Sequence, residues 1–232
     1  MSTYANTIER SVRISAHGTQ LDGDLSVPAN AIGLVVFAHG SGSSRRSPRN
    51  RQVAELLQQR RLATLLFDLL TPDEVVVDDA TRHLRFDIGF LAERLVGVTD
   101  WLGTQGIVAN LPIGYFGAST GAAAALVAAA DRPDVVRAVV SRGGRPDLAM
   151  PALDQVRAAT LLIVGGADRD VIPLNEQAYR KLGSPKELVL IDRATHLFEE
   201  PGAMEQVARL AVDWFDHHLS TASEDRSISD VG

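Results

Sequence analysis

Gly117-Ala118-Ser119-Thr120-Gly121 sets a serine between two glycines, with the apolar run Ile113–Phe116 before it and an alanine-rich run after it. A serine at a sharp strand-to-helix turn is lifted clear of the backbone, and small flanking residues let neighbouring chain pass. Its hydroxyl is a poor nucleophile at neutral pH. It needs a base within hydrogen-bond reach and a third group to orient that base. Asp168 in VGGADRDVIP and His196 in IDRATHLFEE follow in the order nucleophile, acid, histidine. The pentapeptide alone also occurs in ordinary tight turns. Its strand-like and helix-like flanks favour the catalytic reading and point to a serine hydrolase.

The remaining parts of such a site can be assigned by placement. His196 stands after the last apolar run and before the final helical stretch, at the edge where open α/β sheets build their sites. His17 and His83 fall in an early turn and a long connection, and His217 and His218 end the last helix. Asp168 competes with Asp170. Gly165 and Gly166 let the loop bend back toward the histidine, which favours Asp168. Acyl transfer also requires donors aimed at the developing oxyanion. One is expected from the backbone N–H of Thr120, the residue after the nucleophile. The second is expected from the Gly/Ser loop His39–Ser44, with Ser41 as donor and His39 as a brace. That loop lacks the Walker lysine and a complete G-x-G-x-x-G, so a phosphate cradle is the weaker reading.

These residues need a scaffold that brings them to one edge. Glu9–Ser15 and Gln20–Val27 alternate polar and apolar residues, as a half-exposed antiparallel hairpin does. The runs Gly33–Ala38, Ala63–Asp68, Leu111–Phe116, Val136–Ser141, Ala159–Val164 and Glu187–Asp192 are continuously apolar, as strands buried on both faces are. Helical stretches alternate with them at Arg51–Arg60, Asp87–Leu102, Ser119–Ala130, Asn175–Leu182 and Ala203–Leu219. The pattern predicts an α/β fold with a doubly wound, mostly parallel sheet of about eight strands and helices on both faces. Leu70–Phe86 is left as a long mixed-charge connection able to cover the site. Residues 1–219 are expected to form one domain, and 220–232 a polar, disordered tail.

The 232 residues carry a net charge of −6, which argues against a nucleic-acid partner. There is no cysteine, so disulfides, thiolate metal sites and a cysteine nucleophile are excluded together. No apolar run is long enough to cross a bilayer, and the N-terminus lacks the layout of a secretory signal. The expectation is a cytoplasmic protein acting on a small-molecule ester, without membrane, metal or cofactor.

VVFAHGSGSS, GYFGASTG, GGADRDVIP and RATHLF together resemble the α/β-hydrolase fold, and within it the dienelactone-hydrolase-like group. The resemblance runs from about residue 10 to residue 219. It implies a Ser119–Asp168–His196 triad, a Ser41/Thr120 oxyanion hole and hydrolysis at an acyl carbon. Dienelactone hydrolases proper use a cysteine nucleophile where this chain has Ser119, so the dienelactone substrate is not implied. Only about a dozen residues follow Val136–Ser141 before the next helix, so no separate cap domain is expected, and the site should be open and shallow. Thioesterase or acyltransferase chemistry would use the same residues, and a non-catalytic binding domain is the alternative from another class. Arg45, Arg49, Arg142 and Arg145 should emerge at the same edge. They are candidates for gripping a carboxylate or phosphate, or else they are solvated or pair with Asp73, Glu74, Asp78 and Asp79.

Overall fold

A computed structural model describes residues 7–220. The tail expected over 220–232 therefore lies, apart from Ser220, outside the described residues. Eight strands form one sheet: β1 (Ile8–Ala16), β2 (Thr19–Val27), β3 (Gly33–Ala38), β4 (Leu62–Phe67), β5 (Ile113–Ala118), β6 (Val136–Arg142), β7 (Ala159–Gly165) and β8 (Lys186–Ile191). Their spatial order is β1-β2-β4-β3-β5-β6-β7-β8. β1 and β2 pair antiparallel, β2 is antiparallel to β4, and every later pairing is parallel. This is the eight-stranded, mostly parallel architecture of an α/β hydrolase, with the early hairpin at one edge.

Six helices connect and cover the strands: α1 (Pro48–Gln59), α2 (Pro72–Thr81), α3 (Ile88–Leu102), α4 (Thr120–Asp131), α5 (Ile172–Lys181) and α6 (Ala203–Ser220). Strands β3, β4, β5 and β7 are buried along their whole length, which is why they read as unbroken apolar runs. One face packs against α3, α4 and α5, with Leu95, Ala124 and Ala178 in its core. The other packs against α1 and α6, with Leu57, Val207 and Phe215. Helix α6 buries Ala203, Met204, Val207, Ala208, Ala211, Val212, Phe215 and Leu219, a stripe at three- and four-residue spacing. Burying an aromatic such as Phe215 contributes about 1.5–3 kcal/mol. It sits so close to β5 that a Cβ at Gly114 would lie 2.6 Å from its ring.

Three element starts shift from the sequence expectation by more than one residue. β5 begins at Ile113, not Leu111, because Pro112 has no N–H for the ladder and offers only its carbonyl, to Leu34 N at 2.9 Å. α1 and α5 begin three residues early, since their prolines are tolerated in a first helical turn. The larger difference is α2. The connection 70–86 is not irregular: it folds into a helix followed by a 3₁₀ turn at Leu84–Phe86. Thr71 Oγ1 accepts from Glu74 N, Glu74 Oε2 accepts from Thr71 N, and Pro72 opens the helix.

Candidate active site

Ser119 stands between the end of β5 and the first residue of α4, with φ 51° and ψ −120°. A residue with a side chain holds such a backbone at a cost of order 1–3 kcal/mol, so its surroundings must enforce it. Ser119 N donates to Arg142 O at 3.3 Å, and its carbonyl accepts from Ala122 N and Arg145 N at 3.1 and 3.2 Å. The flanking glycines are required by contact: a Cβ at Gly121 would lie 2.3 Å from Ala38 O, and one at Gly117 would lie 2.4 Å from Ala122 Cα. The side chain makes no capping bond to the helix it precedes.

The loops after β7 and β8 are stitched together. Gly166 N donates to Ile191 O at 2.8 Å and Ala167 N to Ala194 O at 2.9 Å. Across that seam His196 Nδ1 donates to Asp168 Oδ2 at 2.7 Å. With Nδ1 as donor, Nε2 is the nitrogen left to accept a proton. The Asp168 side chain is 11% exposed and that of His196 38%, so the carboxylate is shielded while the ring opens outward. Asp170 is exposed and makes no such contact. Gly143 joins the two halves. It follows Arg142, whose carbonyl holds Ser119, and a Cβ on it would lie 3.6 Å from His196 Cε1.

The loop after β3 reaches the serine from the opposite flank. A Cβ at Gly40 would lie 3.1 Å from Ser119 Cβ. Ser41 Oγ and Thr120 Oγ1 share a hydrogen bond of 3.0 Å, which locks this loop to the first residue of α4. Among the described residues, neither the Ser41 nor the Thr120 amide donates to another group. His39 braces the loop from below: Leu69 N donates to its Nε2 at 3.1 Å, and its Nδ1 donates to Gly40 O at 3.0 Å. Burial holds this imidazole below its ordinary value, against the opposing pull of the Gly40 carbonyl and Asp68. It remains a neutral strut.

The arginines divide three to one. Arg45 is ion-paired with Asp68 and lies 3.6 Å from Asp24. Arg49 pairs with Glu199 at 3.0 Å, and Arg145 grips Asp147 through two bonds of 2.9 and 2.8 Å. Of the acids named as alternative partners, Glu74 pairs with Arg94, and Asp78 and Asp79 with Arg85. The alternative that these three hold the four arginines is thus corrected, because the carboxylates fold onto other cations. Arg142 is only 7% exposed, has no carboxylate partner among the described residues, and leaves Nε sealed without a hydrogen bond. Its guanidinium carbon stands 5.8 Å from the Phe198 ring centroid. Burial, then the nearby Arg49 charge, pull its pKa down to about 10, still protonated at neutral pH.

A cavity of about 570 Å³ lies beside the β3 loop, lined by Gly40, Ser41 and Thr120 and by the apolar Leu69, Leu70, Val75 and Leu91. Helix α2 supplies one side. Asp78 is buried, accepts from Arg85 N and Nε, and fixes the turn whose Arg85 carbonyl accepts from Ser41 Oγ at 3.4 Å. The open, shallow site expected from the missing cap is corrected: a two-and-a-half-turn helix encloses part of it. Val75 and Leu70 were not singled out in the sequence, although Thr71-Pro72-x-Glu74 is a legible helix start. Among the described residues no His/Cys/Asp/Glu group could hold a metal, and no helix is long and apolar enough to cross a membrane.

No protein-family model matches the chain. The crystal structure of dienelactone hydrolase from Anabaena variabilis superposes with a TM-score of 0.90 at 61% identity, covering 91% of this chain and 98% of that one. Est1E from Butyrivibrio proteoclasticus and a dienelactone hydrolase-like promiscuous phosphotriesterase from metagenomic libraries both give 0.73. Their identities are 17% and 16%, over 88% and 91% of this chain and 98% of each of theirs, a likeness of fold. Two Mycobacterium tuberculosis proteins, from strains CDC 1551 and H37Rv, bear the provisional name phosphoribosyl transferase and are 57% identical over 211 residues. This chain spans about half the length of those curated relatives, 91% of itself against 47% of each.

Proposed function

The chain belongs to the dienelactone-hydrolase-like group of the α/β hydrolases, and on that premise we propose that it hydrolyses carboxylic esters of small to medium acyl compounds through an acyl-enzyme. Ser119 Oγ attacks the acyl carbon as its proton passes to His196 Nε2. Asp168 holds the ring and stabilises the imidazolium. The oxyanion is received by the Ser41 and Thr120 amides. Collapse expels the alkoxide, which takes the proton from His196. Water then gives a proton to His196 and adds to the acyl carbon; as this second intermediate collapses, Ser119 Oγ takes that proton back from His196 and the acid is released.

The observation that carries this reading is the Asp168–His196 hydrogen bond beside a strained serine turn flanked by two uncommitted amides. A serine suits the oxoester, and the substrate is a small uncomplexed molecule needing no metal or organic cofactor. A thioester would use the same groups. The transferase name of the mycobacterial proteins is not carried over, because this chain matches half of their length and its Gly/Ser loop lacks a phosphate-binding lysine.

A panel of p-nitrophenyl esters and thioesters, assayed with the natural chain and Ser119→Ala, tests the proposal. Ser119→Ala should lose nearly all turnover while its far-UV circular dichroism is unchanged. Equal turnover by the two proteins would overturn it.

A further inference from the structure

We propose that the cavity walled by α2 is the acyl-binding subsite, that it takes an uncharged, largely apolar acyl group, and that the alcohol side of the ester is left unselected. The inference rests on the ester-hydrolase reading above and assigns substrate halves to places.

The sheet order gives the direction. Asp168 and His196 leave β7 and β8, on one flank of β5. Apart from Thr120, which follows β5 itself, the cavity is built from Asp22 of β2, the loops after β3 and β4, α2, the Arg85 turn and Leu91 of α3, on the other flank. A leaving alkoxide takes its proton from His196, so the alcohol must lie on the histidine flank. The oxyanion is fixed by Ser41 and Thr120, which line the cavity. With attacking oxygen, oxyanion and leaving group placed, the fourth substituent of the tetrahedral carbon has the cavity side left to it.

The lining states the chemistry. Leu69, Leu70, Val75 and Leu91 present an apolar wall, and about 570 Å³ lies within the range of pockets that enclose small organic ligands. The charged lining is already committed: Arg45 to Asp68, Arg85 to Asp78 and Asp79. Asp22, Asp68, Asp78 and Asp79 face three arginines there, so the wall offers an anionic acyl group no spare cation except the exposed Arg46. By contrast, no side chain of the 168 or 196 loops belongs to this cavity, and His196 is open outward.

Two ester series test the assignment. One varies the acyl chain from acetate to octanoate on p-nitrophenol, with a succinate half-ester as the anionic member. The other varies the alcohol on one fixed acyl group. kcat/KM should change at least tenfold across the acyl series, discriminate against the succinate member, and change less than threefold across alcohols of matched leaving-group pKa. Val75→Trp fills the wall from a residue 42% exposed, so it is compatible with folding. It should lower the octanoate-to-acetate ratio of kcat/KM at least tenfold, and Leu70→Trp should do the same. Val76→Ser, at a residue 72% exposed and outside the cavity, should leave that ratio unchanged. Dependence on the alcohol instead of the acyl group, or an unmoved ratio in both tryptophan variants, would overturn the assignment while the esterase reading stands. Loss of all ester turnover in the natural chain would overturn both.

Discussion

Asp168→Asn keeps the volume of the side chain but removes the charge that faces His196 Nδ1 at 2.7 Å. An amide can present its own N–H to the ring and favour the wrong tautomer, so kcat should fall by a factor on the order of 10³–10⁴ with the fold intact. Steady-state kinetics on a p-nitrophenyl ester checks this, and a fall below tenfold would contradict it. Arg142 gives the opposite kind of prediction. Its buried guanidinium has no carboxylate to offset desolvation, so Arg142→Met should leave Tm unchanged or raise it. Arg45→Met deprives Asp68 of its cation, while Asp24 keeps Arg51 at 3.3 Å, and should lower Tm by several degrees. Equal losses in the two variants, measured by differential scanning calorimetry, would refute the distinction. At this scale the sequence was readable wherever a role is local. Small residues around Ser119 and the paired glycines before Asp168 mark tight turns by themselves. The partners of Arg49 and Arg45 were not readable, because Glu199 lies 150 positions from Arg49 and Asp68 lies 23 from Arg45.

Helix α2 depends on one buried carboxylate. Burial opposes the charge of Asp78, but the main-chain and side-chain hydrogen bonds from Arg85, with its charge, outweigh that and hold the carboxyl below its ordinary range. As pH falls, the unfolded segment therefore takes up its proton before the folded one. The stabilising contribution is complete above about pH 4 and is lost as pH drops through the lower folded value. Amide exchange over residues 72–86, corrected for intrinsic rate, should show protection at pH 6 that declines as the pH is taken progressively below 4. Asp78→Ala should lack that protection at both values. Protection insensitive to both changes would show that Asp78 does not hold the helix. This element was the one missing from the sequence reading. Three consecutive valines at 75–77 give no 3.6-residue period, and its acidic residues read as a solvated connection. The Thr71 capping box was the available signal. The other helices and the doubly buried strands were legible because continuous apolar runs leave no alternative to burial on both faces, whereas ends at Pro48, Pro112 and Pro173 moved by two or three residues.

Across the whole molecule, the order β4-β3-β5-β6-β7-β8 carries the chemistry. It puts the Ser119–Thr120 turn at the centre, the Ser41 loop on one side, and Asp168 and His196 on the other, the layout the proposed hydrolysis needs. The alternation of strands and helices implies such a sheet, and the length of the 70–86 connection implies that it can cover the site, but its folding into α2 was not read from the sequence. The half-length match to the mycobacterial proteins gives a prediction at this scale. Titrating the chain with phosphoribosyl diphosphate in a calorimeter should give no binding heat, because Arg45 and Arg49 after the Gly/Ser loop are held by Asp68 and Glu199, leaving the exposed Arg46 alone to face the phosphates; saturable micromolar binding would contradict that. The most direct measurement is labelling with a fluorophosphonate, followed by peptide mass spectrometry. The account predicts one covalent phosphonyl adduct on Ser119, absent in Ser119→Ala and strongly slowed in His196→Ala. An unlabelled Ser119 in folded protein, or labelling indifferent to His196, would contradict it.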